Sequence, residues 1–178
     1  DDSDQPYVIF ADDDGLKELH KSGGTWQPTQ VLESGNTGWG ASLELDDNNL
    51  QHVRYYNQTA GALRYTRYNG SSWQAATTID TTGPQVGTLS SLVVDSNDQP
   101  HISYYDQTNG WLLYRTRAGS GWSGDTIRGD GLAAGTSSLA VTSTDLPVVA
   151  YRTTAGELLY AIHQYIPFPT PHWIWMGI

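Results

Sequence analysis

The chain has 178 residues, of which 16% are charged, with 19 acidic against 9 basic side chains and a net charge of −10. That balance excludes a nucleic-acid partner, which needs clustered Lys and Arg on its phosphates, and it excludes docking on anionic lipid. The absence of cysteine removes thiolate catalysis, Cys-based zinc sites and disulfides.

Eleven Tyr, seven Trp and nineteen Gly mark an all-β chain, because aromatic residues favour strands and Gly, Asn and Asp favour tight turns. No stretch carries an amphipathic helical period. The chain opens at Asp1 with no signal peptide and no initiator Met, which reads as a processed or trimmed start. Residues 6–11, 16–21 and 22–26 then read as two strands and a Gly-rich turn ending at Trp26. The same pattern returns at 52–57, 63–68 and 69–73, ending at Trp73, and at 101–106, 112–117 and 118–122, ending at Trp122. A fourth copy covers 148–152 and 158–163 without its tryptophan.

A further strand precedes each later copy, at 41–46, 90–95 and 137–142, followed by an Asp/Asn-rich turn. The tryptophan spacing sets a period of about 47 residues, in the range of a four-stranded propeller blade. Alternation at period two gives each strand one core face, and one unit cannot bury both faces of its sheet, so neighbours stack. The sequence therefore predicts a β-propeller of about four four-stranded antiparallel blades. These lie near 1–33, 40–80, 88–128 and 136–163, followed by a non-repeat tail over 164–178. Asp2 to Pro6 matches the turn Asp95 to Pro100, so the chain begins inside a blade. Its ring is either self-closed or completed by oligomerisation. Tyr165, Phe168, Trp173 and Trp175 of the tail are the expected assembly residues, as a closing or docking strand.

The core His52, Val53, Arg54, Tyr55, Tyr56 followed by Asn69, Gly70, Ser71, Ser72, Trp73 resembles the repeats of β-propeller lectins, and most nearly those that bind fucose. The likeness covers about 140 residues through general blade features. It implies sugar recognition by an Arg, a Glu and a Trp. The Arg position falls on Ile9, Arg54, Ser103 and Ala150, and the Glu position on Glu18, Tyr65, Tyr114 and Tyr160. The Trp position falls on Trp26, Trp73 and Trp122, so no repeat carries all three, and a site spanning neighbouring blades would join Glu18 or Arg54 to an adjacent Trp.

Trp and Tyr faces stack on pyranose C–H groups, while Arg and acids bond hydroxyls, which makes Arg54, Glu18, Trp26, Trp73, Trp122, Tyr56 and Tyr105 the candidate ligand-binding residues. Each repeated aromatic also has a packing role open to it. The acids at 12–14 and 46–47 sit in turns, and 12–15 is too short for an EF-hand loop. His52 and His101 occupy equivalent repeat positions and read as structural. No Gly-x-Ser-x-Gly, phosphate-loop or metal-ligand spacing occurs. The sequence thus points to a secreted or cell-surface, non-catalytic module for glycan or protein recognition, with no metal, no cofactor and no membrane span. A structural subunit linked through the tail and a fragment of a propeller glycoside hydrolase are the alternatives.

Overall fold

The computed structural model describes residues 1–164 and 172–177. Among the described residues there is no helix, and seventeen strands form four antiparallel sheets taken up in chain order. The chain divides into two compact units, Asp1–Thr88 and Leu89–Ile178, each holding two of the sheets.

In the first unit, β1 (Tyr7–Asp12), β2 (Gly15–Ser22), β3 (Thr25–Trp26) and β4 (Gln30–Ser34) make the first sheet, with β3 and β4 both paired to β2. The second sheet runs β5 (Thr37–Leu45), β6 (Gln51–Asn57), β7 (Ala62–Arg67) and β8 (Thr77–Asp80). In the second unit, β9 (Ser90–Val94), β10 (Pro100–Asp106), β11 (Trp111–Ala118), β12 (Gly121–Ser123) and β13 (Thr126–Arg128) form the third sheet, β12 and β13 sharing β11 as partner. The fourth sheet runs β14 (Ala133–Val141), β15 (Pro147–Thr153), β16 (Leu158–Gln164) and β17 (His172–Gly177). The architecture is all-β and made of β-propeller blades.

The register repeats as closely as the sequence does. Ile9 faces Glu18, Arg54 faces Tyr65, Ser103 faces Tyr114 and Ala150 faces Tyr160. Trp26, Trp73 and Trp122 lie opposite Lys21, Tyr68 and Arg117. Trp173 lies opposite His163, which is the matching position of the fourth sheet. The fourth repeat therefore has its tryptophan, contrary to the sequence reading. The longer connection from β16 to β17 moves it out of the 47-residue spacing and hides the equivalence.

The turn leading into β1, β6, β10 and β15 is the same structure four times. A side-chain oxygen at its first residue accepts from the backbone N–H groups two and four residues on. Asp1 bonds Ser3 and Gln5, and Asp46 bonds Asn48 and Leu50. Asp95 bonds Asn97 and Gln99, and Thr142 bonds Thr144 and Leu146. The fourth residue is left-handed each time, with φ of 55° at Asp4, 60° at Asn49, 59° at Asp98 and 59° at Asp145. Asp and Asn tolerate this conformation better than other residues with a Cβ.

Each unit packs its two sheets through the apolar faces that alternation creates. In the first, Leu16, Val53 and Tyr55 are fully buried, with Ile9, Leu43 and Trp73 packed around them. In the second, Leu112, Ile127, Val149, Tyr151 and Trp173 form the centre. Burying one such side chain stabilises by about 1.5–3 kcal/mol.

Candidate functional site

Strand alternation also turns polar side chains inward, and two of these sets are equivalent. Nε2 of His52 donates to Asp46 Oδ2 at 3.3 Å, and Nδ1 of the same ring accepts from the Tyr65 hydroxyl at 2.7 Å. Nε2 of His101 donates to Asp95 Oδ2 at 3.1 Å, and its Nδ1 accepts from the Tyr114 hydroxyl. A carboxylate only accepts, so it fixes the ring tautomer. Each turn is thereby locked to the third strand of its own sheet, and each histidine is spent on structure.

The first sheet breaks this pattern. Tyr7 stands where His52 and His101 stand, and Glu18 stands where Tyr65 and Tyr114 stand. His20, opposite Tyr7 across the pair, stacks on its ring at 5.4 Å and donates from Nδ1 to Glu18 Oε1 at 2.9 Å. Glu18 is 2% exposed. Burial pushes its carboxyl above the ordinary 4.5, and His20 pulls it part of the way back.

The change from tyrosine to a smaller carboxylate leaves space. A cavity of about 190 Å³ lies there, lined from the first sheet by Tyr7, Glu18, His20 and Gln30 and from the second by Gln51, Tyr68 and Trp73. Tyr68 and Trp73 meet with ring centroids 5.8 Å apart, which fixes the indole. Gln51 is 6% exposed, and its Oε1 has no hydrogen-bond partner among the described residues. Buried amides are normally satisfied, so a free acceptor beside a polar cavity awaits a donor. The cavity falls below the ~300–1,000 Å³ of sites for drug-sized ligands, which suits a single small ring. Its chemistry is one carboxylate, one imidazole, two amides, two phenols and an indole: acceptors and donors for hydroxyls beside an apolar plate.

Of the residues expected from sequence, this site brings together Glu18 and Trp73. The other five lie elsewhere. Arg54 is 7% exposed, donates from Nη1 to the Gly40 carbonyl, and is pushed down to about 10 by burial. Tyr56 is 5% exposed, and its hydroxyl accepts from the Gln85 N–H at 2.9 Å. Tyr105 packs half-buried against the core of the second unit. Trp26 is exposed, and Trp122 lies under the Arg117 guanidinium at 5.4 Å. Among the assembly residues, Trp173 is buried and Trp175 is exposed on β17, while Tyr165 and Phe168 lie outside the described residues.

Sequence reasoning missed Tyr7, His20, Gln30, Gln51 and Tyr68. A signal existed: the first repeat departs from the histidine–tyrosine pair of the second and third at positions 7 and 18. In the second unit the matching space is filled. Tyr114 occupies the Glu18 position, and its ring meets Trp173 at 5.2 Å and His163 at 5.9 Å.

No protein-family model and no curated protein sequence matches the chain. Solved structures do. A triple arginine-to-alanine variant of AofleA from Arthrobotrys oligospora is 13% identical with a TM-score of 0.64, covering 98% of this chain and 54% of that one. The SapL1 lectin in complex with alpha methyl fucoside is 15% identical with a TM-score of 0.61, covering 97% and 60%. A protein of unknown function from Dyadobacter fermentans is 13% identical with a TM-score of 0.58, covering 91% and 57%. The chain thus spans little more than half the length of these structures. Together with the four sheets, they place it in the β-propeller fold class, in company that includes a lectin.

Proposed function

We propose that the chain is a non-catalytic carbohydrate-binding module whose site is the cavity between the first and second sheets. The observation that carries this is the convergence of Glu18, the unpartnered Gln51 Oε1 and Trp73 on about 190 Å³. Glu18 and Gln51 would take sugar hydroxyls, and the indole would lie against a C–H face. Glu18 and Trp73 hold two of the three positions that fucose-binding propeller lectins use, and the SapL1 structure carries a methyl fucoside. The third, an arginine, is replaced here by Ile9, which packs in the core. With the Glu18 carboxyl buried and no Lys or Arg in its lining, the site suits a neutral monosaccharide, with fucose the first to test. Glycoside hydrolysis takes two carboxyl groups about 5–9.5 Å apart, and this cavity is lined by one, which supports binding over catalysis.

The reading carries with it an extracellular or cell-surface setting, where glycans are displayed. No helix among the described residues is long and apolar enough to cross a membrane. Titration calorimetry with methyl α-fucoside, methyl α-mannoside and methyl β-galactoside tests it. At least one should bind the wild-type protein and fail to bind Glu18→Gln and Trp73→Ala. No heat with any of them, together with an empty glycan array, overturns the reading.

Ring completion by a second copy is a companion reading, favoured by neighbours of which this chain covers only 54% and 60%. Native mass spectrometry tests it, and a stable monomer overturns it.

A further inference from the structure

The second unit has closed its copy of that cavity but opened another further along the same pair of sheets. In the first unit, Glu33 of β4 reaches Arg64 of β7 at 2.9 Å and ties the two sheets there. Arg128 stands at the Glu33 position, opposite Leu112 as Glu33 is opposite Leu16. The residue matching Arg64 on β16 is Leu159, which has no charge to offer. Arg128 turns instead to Asp130, its Nε donating to both carboxylate oxygens at 2.8 and 3.1 Å. Its Nη1 also donates to the Tyr151 hydroxyl of β15 at 3.5 Å, a longer bond than the ion pair of the first unit, and beside it lies a cavity of about 260 Å³, lined by Arg128, Gly129, Asp130 and Trp175.

Each lining residue is held in place. The indole N–H of Trp175 donates to the Ile127 carbonyl at 2.9 Å, which orients the ring while 57% of the residue stays exposed. Asp130 Oδ1 also accepts from the Leu132 N–H at 3.0 Å. At Gly129 a methyl group would lie a tight 3.0 Å from Thr126 Cγ2 and 4.0 Å from the indole of Trp111, so a side chain there is crowded. Exposed tryptophan therefore stands beside a preset pair of donor and acceptor.

We infer that Trp175, Arg128 and Asp130 form a second saccharide subsite, distinct from the Glu18 cavity and specific for a neutral pyranose ring. The indole supplies the apolar plate, Arg128 the donors and Asp130 the acceptor. The mutual neutralisation of Arg128 and Asp130 decides the ligand's charge. An anionic group would meet Asp130 and a cationic group Arg128, so a neutral polyol is preferred. The inference extends the carbohydrate-binding reading but uses none of its residues.

NMR titration of the ¹⁵N-labelled full chain with methyl α-fucoside, methyl α-mannoside or methyl β-galactoside separates the two. The Trp175 indole and Gly129 amide signals should shift saturably with at least one of these, and should still do so in Trp73→Ala. Trp175→Ala should weaken that response more than tenfold. Asp130→Asn, on an exposed side chain, should weaken it several-fold in a chain whose other signals are unmoved. Sodium glucuronate should produce no shift at these positions. If the shifts occur only around Glu18 and vanish in Trp73→Ala, the second subsite is overturned and the first stands. If they occur only around Trp175, the reverse holds. If no glycoside moves either set, both are overturned.

Discussion

Asp145 accepts two hydrogen bonds from Ser96, one from its backbone N–H at 3.1 Å and one from its hydroxyl at 2.6 Å. The bonds join the turn of the third sheet to that of the fourth. They hold the Asp145 carboxyl below its ordinary 3.8, the Ser96 hydroxyl being the largest cause. A depressed carboxyl stabilises the fold above its unfolded pKa and loses that contribution as pH falls through the folded value. Asp145→Asn, which removes the charge but keeps a residue tolerant of the left-handed turn, should therefore lower the melting temperature at pH 7, and the difference from wild type should close as pH is taken well below 3.8. Melting curves across that range check this; a gap independent of pH would mean the carboxylate charge is not what matters.

Glu18 has the opposite sign. Its carboxyl is raised above 4.5 by burial, so the folded chain prefers it protonated and stability falls as pH rises through that shifted value. Glu18→Gln should raise the melting temperature at pH 7 while removing sugar binding. Paired thermal and calorimetric measurements on one preparation read both. A variant that loses stability along with binding would show that Glu18 serves the fold.

Two tryptophans at equivalent positions should behave differently. Trp73 lines the open cavity, whereas Trp173 is 7% exposed and wedged against Tyr114 and His163. Trp173→Ala should cost about 3–5 kcal/mol, the range for truncating a buried tryptophan. Trp73→Ala should cost less and act mainly on ligand affinity. Urea unfolding of both variants decides it.

His101 bridges Asp95 and Tyr114 inside the third sheet, and His101→Ala strands both partners. A loss of about 2–4 kcal/mol is expected from the cavity and two unsatisfied groups. Chemical denaturation measures it, and a loss under 1 kcal/mol would mean water replaces the imidazole without penalty.

Gly15 starts β2 with φ +131°, and a methyl group there would sit 2.1 Å from the Glu33 carbonyl oxygen. Because that atom is backbone, the pairing of β2 with β4 must give way. Gly15→Ala should destabilise by more than about 2 kcal/mol, whereas Gly23→Ala, with open space around it, should show only the smaller cost of its φ. Circular dichroism melts compare the two.

Much of the architecture was legible because its signals are local. Turn acids, strand alternation and the spacing of Trp26, Trp73 and Trp122 each act within one repeat. Trp173 escaped because its equivalence depends on a strand pairing across a longer connection, which spacing does not record. Arg54 looked like a ligand residue because it falls on the arginine position of the propeller-lectin repeat. Its strand face follows from alternation, but its burial and its bond to the Gly40 carbonyl depend on packing that no periodicity records. The site itself is shared between repeats. Glu18 was recognisable as a departure from tyrosine, but its meeting with Gln51 and Trp73 follows from how two sheets pack.

The left-handed turn residue has a consequence for how damage would spread. Asn49 and Asp145 each close the turn of their own sheet, and each also bonds the preceding turn, through Asp2 and Ser96. One side chain therefore serves two hairpins, and within each unit the loss of that single residue would loosen both sheets at the same end.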